Sequence, residues 1–261
     1  MNRIPNMATR NQTAVTKTAT VRRAPSDRDF PRPYTTVDLV IFTVRSDALE
    51  VLLVQRPEDT TEPFPGMWAL PGGFVCVDLD SGLPACARRK LQEKTGVASP
   101  YLEQLGSWGS ATRDPRGWSA THAYFALIPA RDEPLAKGAN AADVAWFEVD
   151  DLLRRKRLAF DHGQILQAAV ERLRSKVEYT SLPAFLLPEP FTLPQLQHTC
   201  EVVLGRPVDK SGFRTRMLAA DFLDEVGVVE SNSNRPPLGY RLKDRSNPVV
   251  FPRTFSRRGG A

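Results

Sequence analysis

The spacing of apolar positions in the first two thirds of the chain predicts a sheet flanked by helices. Two β-branched runs around Ser46 and Asp47 predict a hairpin in TTVDLVIFTVRSDALEVLLVQRP. A third strand fits WALPGGFV, and further strands fit YLEQLGSWGS, THAYFALIP and VAWFEVDDL. Helical spacing is found in LPACARRKLQEKTG, which ends at Gly96, a typical C-cap residue, and in FDHGQILQAAVERLRSKV. We therefore expect a mixed α/β domain over residues 34–178.

The last third of the chain has a different pattern. A domain boundary is predicted at the proline-punctuated segment SLPAFLLPEP. Two amphipathic helices follow in FTLPQLQHTCEVVLG and DKSGFRTRMLAADFLDEVG, the second with Asp209 as its N-cap. Two short strands around a polar turn then fit VVESNSNRPPLGYRL. This order is typical of a winged helix-turn-helix domain, which we predict over residues 179–246, before a basic tail over 247–261.

Composition and charge narrow the class of protein. The first 33 residues are rich in Thr, Arg, Asn and Pro without periodicity, which predicts a basic, disordered arm. The net charge is +5, and the excess of basic residues lies at the two ends, which permits contact with nucleic acid there. Three cysteines without a CxxC pair indicate neither a disulfide framework nor a zinc knuckle. Because no apolar run approaches about 18 residues, we expect a cytoplasmic protein with no membrane partner.

Residues 70–96 resemble a Nudix box, with the sequence LPGGFVCVDLDSGLPACARRKLQEKTG. The family pattern is Gly, five residues, Glu, seven residues, then Arg-Glu-apolar-x-Glu-Glu-x-Gly-apolar. In that family the helix glutamates hold Mg²⁺ or Mn²⁺ on a nucleoside diphosphate, and a metal-activated water attacks phosphorus. The alignment here rests on Arg89, Leu91, Gly96 and Val97.

The carboxylates of this box are mostly replaced. Glu93 stands at one glutamate position, whereas Lys90 and Lys94 stand at the other two. Between Gly73 and Arg89 there are two residues more than in the family pattern, and no glutamate. Hard divalent cations take oxygen ligands, and an ammonium group supplies no lone pair. We therefore predict no metal ligand and no catalytic residue, and we expect that the chain is not an enzyme.

We expect the segment to keep a ligand-binding pocket that has no metal chemistry. The glycines of WALPGGF allow a ligand to approach the backbone closely, and RDPRGW resembles the loop of Nudix proteins that handle ADP-ribose. By this resemblance, two arginines would contact a pyrophosphate and aromatic rings would stack on adenine. The alternatives are an ordinary core role for each aromatic ring and a solvated surface role for each arginine. The predicted ADP-ribose site comprises Phe64, Trp68, Gly72, Gly73, Arg89, Glu93, Arg113, Asp114, Arg116 and Trp118.

The box, RDPRG, FDHGQIL and the winged helix, in this order, resemble the Nudix-related transcriptional regulators of NAD metabolism, the NrtR family. The resemblance covers roughly residues 35–245. It implies an α/β fold, in which a Nudix-type mixed α/β sandwich is followed by a winged helix-turn-helix domain. It also implies a homodimeric bacterial repressor with ADP-ribose or a related nucleotide as effector and no cofactor. Its operators would be palindromic and lie upstream of genes of NAD biosynthesis or salvage. His162, in FDHGQIL, is expected to order a helix start together with Asp161.

The second predicted helix of the C-terminal domain carries the expected DNA contacts. Cationic and hydroxyl side chains there suit the base edges and phosphates of a major groove, and an arginine at the tip of the wing can reach phosphate or the minor groove. The sequence GFRTR has Thr215 where the family has a second arginine, which bears on the operator sequence. The predicted DNA-binding residues are Lys210, Ser211, Arg214, Thr215, Arg216 and Arg235.

Two other classes of function stay open at the level of sequence. The chain could be an active ADP-ribose pyrophosphatase with an appended winged-helix domain, which requires a divalent cation site. Alternatively, its winged helix could bind another protein and never contact DNA, in which case its basic residues would be dispensable.

Overall fold

The computed structural model of the chain describes residues 32–96, 101–130, 141–155, 157–229 and 236–255. All but the last two residues of the predicted arm lie outside these ranges. Arg235, one of the predicted DNA contacts, also lies outside them.

A mixed sheet forms the centre of the N-terminal part of the described chain. Its strands are β1 (Tyr34–Arg45), β2 (Ala48–Gln55), β3 (Trp68–Ala69), β4 (Gly72–Phe74), β5 (Tyr101–Ser110), β6 (Ser119–Leu127) and β7 (Asp143–Glu148). Within the described ranges the order is β3-β2-β1-β6-β5, with β4 beside β1 and β7 beside β2. β1 runs parallel to β6. The predicted hairpin is confirmed, because β1 and β2 pair antiparallel across Ser46 and Asp47.

The prediction of one strand in WALPGGFV is wrong, because this segment changes its partner strand. β3 pairs with β2, whereas β4 pairs with β1. Between them, Pro71 has no N–H for a ladder, and its carbonyl accepts a hydrogen bond from Leu39 N at 2.8 Å. The segment therefore crosses from one strand to the next and presents its glycines beside β1.

Helices cover both faces of this sheet. They are α1 (Leu83–Thr95), α2 (Val149–Arg155) and α3 (His162–Val177). α1 buries Cys86, Ala87 and Leu91 in one core with the odd-numbered residues 37–41 of β1, whereas α3 packs in the other core with the even-numbered residues 40 and 42. The predicted C-cap of α1 is confirmed, since Gly96 has φ 67° and its N–H bonds Gln92 O.

The C-terminal part has the elements of a winged helix. After a 3₁₀ turn (Leu182–Leu186) come β8 (Phe191–Thr192), α4 (Leu193–Leu204), α5 (Lys210–Ala219), β9 (Leu223–Val228) and β10 (Leu238–Leu242). In the described ranges these strands form a sheet in the order β8-β10-β9. The predicted N-cap of α5 is confirmed, because the Asp209 side chain accepts a hydrogen bond from Gly212 N at 2.8 Å.

One hydrophobic core links the two parts. Phe42 of β1 and Leu166 of α3 belong to the same buried cluster as Leu196 of α4 and Phe213 of α5. Phe185 of the 3₁₀ turn also belongs to this cluster and is 2% exposed. The C-terminal elements are therefore packed onto the N-terminal sheet and α3, and the two parts are not joined by a free linker.

Residues 249–255, here called the C-terminal strap, run along the end of α3. Phe251 N donates to Tyr179 O at 2.7 Å, and Phe255 N donates to Glu178 O at 3.1 Å. Both phenylalanine rings are buried. This part of the segment that we predicted as a basic tail is thus packed against the fold. In the described residues, no helix is long and apolar enough to span a membrane.

Candidate functional site

The box helix is tied to its preceding loop by a charged clamp. Arg89 donates to Asp80 from Nε at 2.8 Å and from Nη2 at 2.7 Å, and its Nη1 donates to Glu93 at 3.0 Å. Cys76 N also donates to Asp80 at 2.9 Å. Hydrogen bonds from Arg89 hold the pKa of Asp80 well below its ordinary value. Arg89 therefore holds the loop through Asp80, and its guanidinium is also paired with Glu93.

Lys90 lies where the box pattern has a carboxylate, directly beside Gly73. An ideal Cβ on Gly73 would be 3.1 Å from Lys90 Nζ, and the φ of 138° at Gly73 also favours glycine. One turn further along α1, burial lowers the pKa of Lys94. In the part of the chain that the structure describes, no group of three His, Cys, Asp or Glu residues could hold a metal ion. The box residues do not fit a divalent cation.

The RDPRG and FDHGQIL motifs meet on the α3 side of the sheet in a buried charge network. Arg113 donates to Asp161 from Nε at 2.9 Å and from Nη2 at 2.8 Å. Its Nη2 also lies 3.5 Å from Asp38 Oδ2, and the Arg113 side chain is only 5% exposed. Burial opposes the charge of Arg113, but bonding to Asp161 raises its pKa above the ordinary value. Arg113 is thus already neutralised within the protein.

His162 connects this network to the glycine segment. Its Nδ1 accepts a hydrogen bond from Leu70 N at 2.9 Å, which leaves the proton of the neutral ring on Nε2, 3.5 Å from Asp38 Oδ2. A Cβ on Gly72 would collide with Asp38, so glycine is required there. The expected role of Asp161 at the start of α3 needs correction. It makes no side-chain cap hydrogen bond and pairs with Arg113 instead.

Arg116 lies at the half-exposed rim of this region and has its own carboxylate partners. Its Nη2 donates to Asp114 at 2.8 Å, and its Nη1 donates to Glu62 at 3.3 Å. The guanidinium carbon stands 5.3 Å from the centre of the Phe74 ring. The bonds from Arg116 raise its own pKa, and its charge is largely matched before any ligand arrives.

The three predicted stacking rings have different surroundings. Phe64 packs edge-on to Phe160 with ring centres 4.7 Å apart, and Trp68 packs in the same way against Phe147 at 4.7 Å. Trp118 is 51% exposed. Of the three, Trp118 therefore offers the largest accessible surface to a planar ligand.

Several residues of this region were missed by sequence reasoning. Asp38 lies in a strongly apolar strand, and its burial was not predictable without knowing that Arg113 and His162 pack above it. Phe74 is 45% exposed and lies next to the glycines, although nothing in the local pattern distinguishes it from a core residue. Only the charge of Asp38 within an apolar run was a usable signal.

The exposed face of α5 carries four of the predicted DNA contacts. Lys210, Ser211, Arg214 and Thr215 are exposed, whereas Phe213 is buried beneath them. No described residue forms an ion pair or hydrogen bond with Arg214 or Lys210. This face is therefore free to approach a polyanion.

Arg216, predicted as a DNA contact, is held by the C-terminal strap. Its Nη2 donates to Thr254 O at 2.6 Å, and its guanidinium carbon lies 4.1 Å from the centre of the Phe255 ring. Nη1 also bonds Glu178 O at 3.4 Å. Arg216 thus joins α5 to the end of α3 and does not extend freely from the exposed face.

Two family models match the chain. The NUDIX domain model matches residues 34–169, and the NrtR DNA-binding winged helix domain model matches residues 183–242. The chain is 43% identical over 227 residues to the ADPR responsive transcriptional repressor NtrR of Acinetobacter baylyi. The aligned region covers 86% of this chain and 88% of the relative.

Solved structures of Shewanella oneidensis NrtR are also similar. Its complex with a 27mer DNA has a TM-score of 0.75 at 41% identity, covering 85% of this chain and 99% of the other. Its NUDIX domain complexed with ADP ribose has a TM-score of 0.51 at 43% identity, covering 57% of this chain and 94% of the other. This chain belongs to the NrtR family of transcriptional regulators, in which a Nudix domain precedes a DNA-binding winged helix.

Proposed function

We propose that this protein is a repressor that releases its operator when ADP-ribose binds the Nudix-like part. It acts in the cytoplasm as a homodimer on palindromic operators of NAD biosynthesis or salvage genes. The observation that carries this proposal is the continuous core from Phe42 to Phe213, which gives a bound ligand a packed route to the DNA-reading helix. The similarity to an ADPR responsive repressor over most of both chains supports the choice of effector.

The DNA-reading surface is proposed to be the exposed face of α5. Lys210 and Arg214 supply positive charge, while Ser211 and Thr215 supply hydroxyl groups at the same face. Arg235 of the wing is proposed as an additional phosphate or minor-groove contact. Arg216 is left out of this surface, because its guanidinium is committed to Thr254 and Phe255.

The effector site is proposed to lie over the glycine segment. The missing side chain of Gly73 lets the Lys90 ammonium group approach the backbone, and Trp118 offers an exposed ring. Arg113 and Arg116 are proposed to shape the site through Asp161 and Asp114. The rest of the predicted set, which completes the walls of the site, comprises Phe64, Trp68, Arg89, Glu93 and Asp114.

We further propose that the chain turns over no nucleotide. With lysine at two of the carboxylate positions and Glu93 paired with Arg89, no described group offers a divalent ion the two or three carboxylates it requires. The retained Arg89, Leu91, Glu93 and Gly96 favour the second candidate, an active ADP-ribose pyrophosphatase. Release of AMP from ADP-ribose with Mn²⁺, abolished by Glu93→Gln, would establish that candidate.

The proposed function is tested by DNA binding with and without effector. An operator duplex is selected from a randomised pool with the full chain, and its binding is followed by fluorescence anisotropy. We expect ADP-ribose to raise the dissociation constant, with adenosine and ribose 5-phosphate as controls that lack the linked diphosphate. Operator affinity that ADP-ribose leaves unchanged would contradict the proposal.

A further inference from the structure

The candidate effector site contains several cations, and most of them already have a carboxylate partner. Arg113 is paired with Asp161, and Arg116 with Asp114. Arg89 is paired with Asp80. A dianionic ligand that relied on these side chains would have to compete with carboxylates that are already hydrogen-bonded to them.

The two box lysines are different. Within the described part of the chain, neither Lys90 nor Lys94 forms a hydrogen bond or an ion pair. They lie four residues apart on α1, which places them on one face of the helix. Lys90 Nζ faces Gly73, at a distance of 3.1 Å from the place of a Cβ there. Among the described residues, the box therefore presents positive charge without a carboxylate partner, beside the half-buried backbone of Gly73.

We infer that the Lys90 and Lys94 ammonium groups contact the diphosphate of a nucleoside diphosphate ligand directly, so that its binding requires no metal ion. This inference rests on the proposed function, in that it assumes a nucleotide effector at this site. An ammonium group donates hydrogen bonds to phosphate oxygens without needing protein carboxylates to hold it. Carboxylates at the same two positions would repel the diphosphate unless a divalent cation lay between them. The lysines thus replace both the carboxylates and their cation.

Isothermal titration calorimetry of the full chain with ADP-ribose tests this inference. Titrations are made in EDTA and in Mg²⁺, and we expect the same dissociation constant in both. Lys90→Gln and Lys94→Gln should each weaken binding by about tenfold, the effect of losing one charge-assisted contact. Arg88→Gln is the matched control, because it removes the same charge from an exposed position of the same helix and should leave the affinity unchanged.

The double variant Lys90→Glu, Lys94→Glu supplies the opposite test. It should bind ADP-ribose much more weakly in EDTA and regain part of the affinity in Mg²⁺. Thermal melting of each variant checks that it is folded. Wild-type binding that requires Mg²⁺, or lysine variants that bind as tightly as Arg88→Gln, would overturn this inference and leave the proposed function intact. Absence of ADP-ribose binding in every condition would overturn both.

Discussion

At the scale of single residues, the candidate site contains charged side chains that are already paired within the protein and others that have no described partner. Asp38, Arg113, Asp161 and His162 form a continuous network beside the glycine segment, and its members are mostly buried. Removal of Arg113 leaves the Asp38 and Asp161 carboxylates without a compensating charge, which costs more than the network contributes while it is intact. Lys90 and Lys94, by contrast, are free for a ligand within the described residues.

Arg113→Ala should lower the free energy of unfolding by about 3–5 kcal/mol, because it leaves Asp161 and Asp38 without their guanidinium. Arg116→Ala should cost less, about 1–2 kcal/mol, because Arg116 is half-exposed and the buried Asp114 keeps its hydrogen bond from the backbone N–H of residue 116. Urea unfolding of both variants measures the difference. Equal decreases in the free energy of unfolding would show that the Arg113 network does not stabilise the fold more than the Arg116 pair does.

The buried Asp38 carboxylate should make the stability of the folded protein depend on pH. Burial raises its pKa, but His162 and Arg113 more than offset this, and the net pKa lies below the ordinary value of 3.8. The stability that its charge contributes is therefore complete above about pH 4 and is lost as the pH falls through the lower pKa of the folded state. The difference in unfolding free energy between wild type and Asp38→Asn should shrink over this range. A difference that stays constant down to pH 2 would contradict the assignment.

At the scale of elements, α5 has two faces with different proposed tasks. Arg214 and Lys210 are exposed, whereas Arg216 binds the C-terminal strap. The strap bonds the end of α3 through Phe251 N and Phe255 N. The proposed DNA-reading helix is thus connected through Arg216 to the end of the last helix of the Nudix-like part.

Arg214→Ala and Arg216→Ala should separate these tasks. If Arg214 contacts a base, Arg214→Ala should weaken operator binding by about 1–3 kcal/mol. It should have little effect on the melting temperature. The second should lower stability by about 1–2 kcal/mol, since it loses a cation–π contact and hydrogen bonds. Anisotropy and thermal melting on the same preparations check both. A large loss of operator affinity in folded Arg216→Ala would show that Arg216 also reads DNA.

The elements that sequence predicted well are those with local causes. The hairpin at Ser46 and Asp47, the Gly96 cap of α1 and the Asp209 cap of α5 each depend on residues within a few positions. The split of WALPGGFV and the packing of the C-terminal strap depend on partners far along the chain. In the candidate site, both motifs were found from the sequence, but the ion pair that joins Arg113 to Asp161 spans 48 positions and has no local signal.

At the scale of the whole molecule, the shared core makes coupling between the two parts physically reasonable. Because buried side chains pack densely, a shift of the sheet or of α3 is transmitted to α4 and α5 and not absorbed in a linker. In a twofold dimer, a small rotation of each winged helix would change the spacing of the two DNA readers. Placement of the readers is then the quantity that the effector alters.

The proposed dimer has its own test. A single winged helix reads few base pairs, so operator specificity calls for two copies on half-sites separated by about one or two helical turns, each roughly 10.5 bp. Sedimentation of the free chain should give the mass of a dimer. Insertion of about five base pairs between the half-sites should abolish tight binding, because it turns the half-sites to opposite faces of the duplex. A monomer that binds both spacings equally well would argue against the dimer.

The central claim is that ADP-ribose binding weakens operator binding by the same protein, and that operator binding weakens ADP-ribose binding. By linkage, the factor by which ADP-ribose weakens operator binding must equal the factor by which operator weakens ADP-ribose binding, and a tenfold effect corresponds to about 1.4 kcal/mol. The most direct measurement is calorimetric titration of ADP-ribose into the full chain, alone and saturated with operator duplex. We predict weaker ADP-ribose binding to the DNA-bound protein, by the factor found for operator release. Equal ADP-ribose affinity in the two titrations would contradict the account.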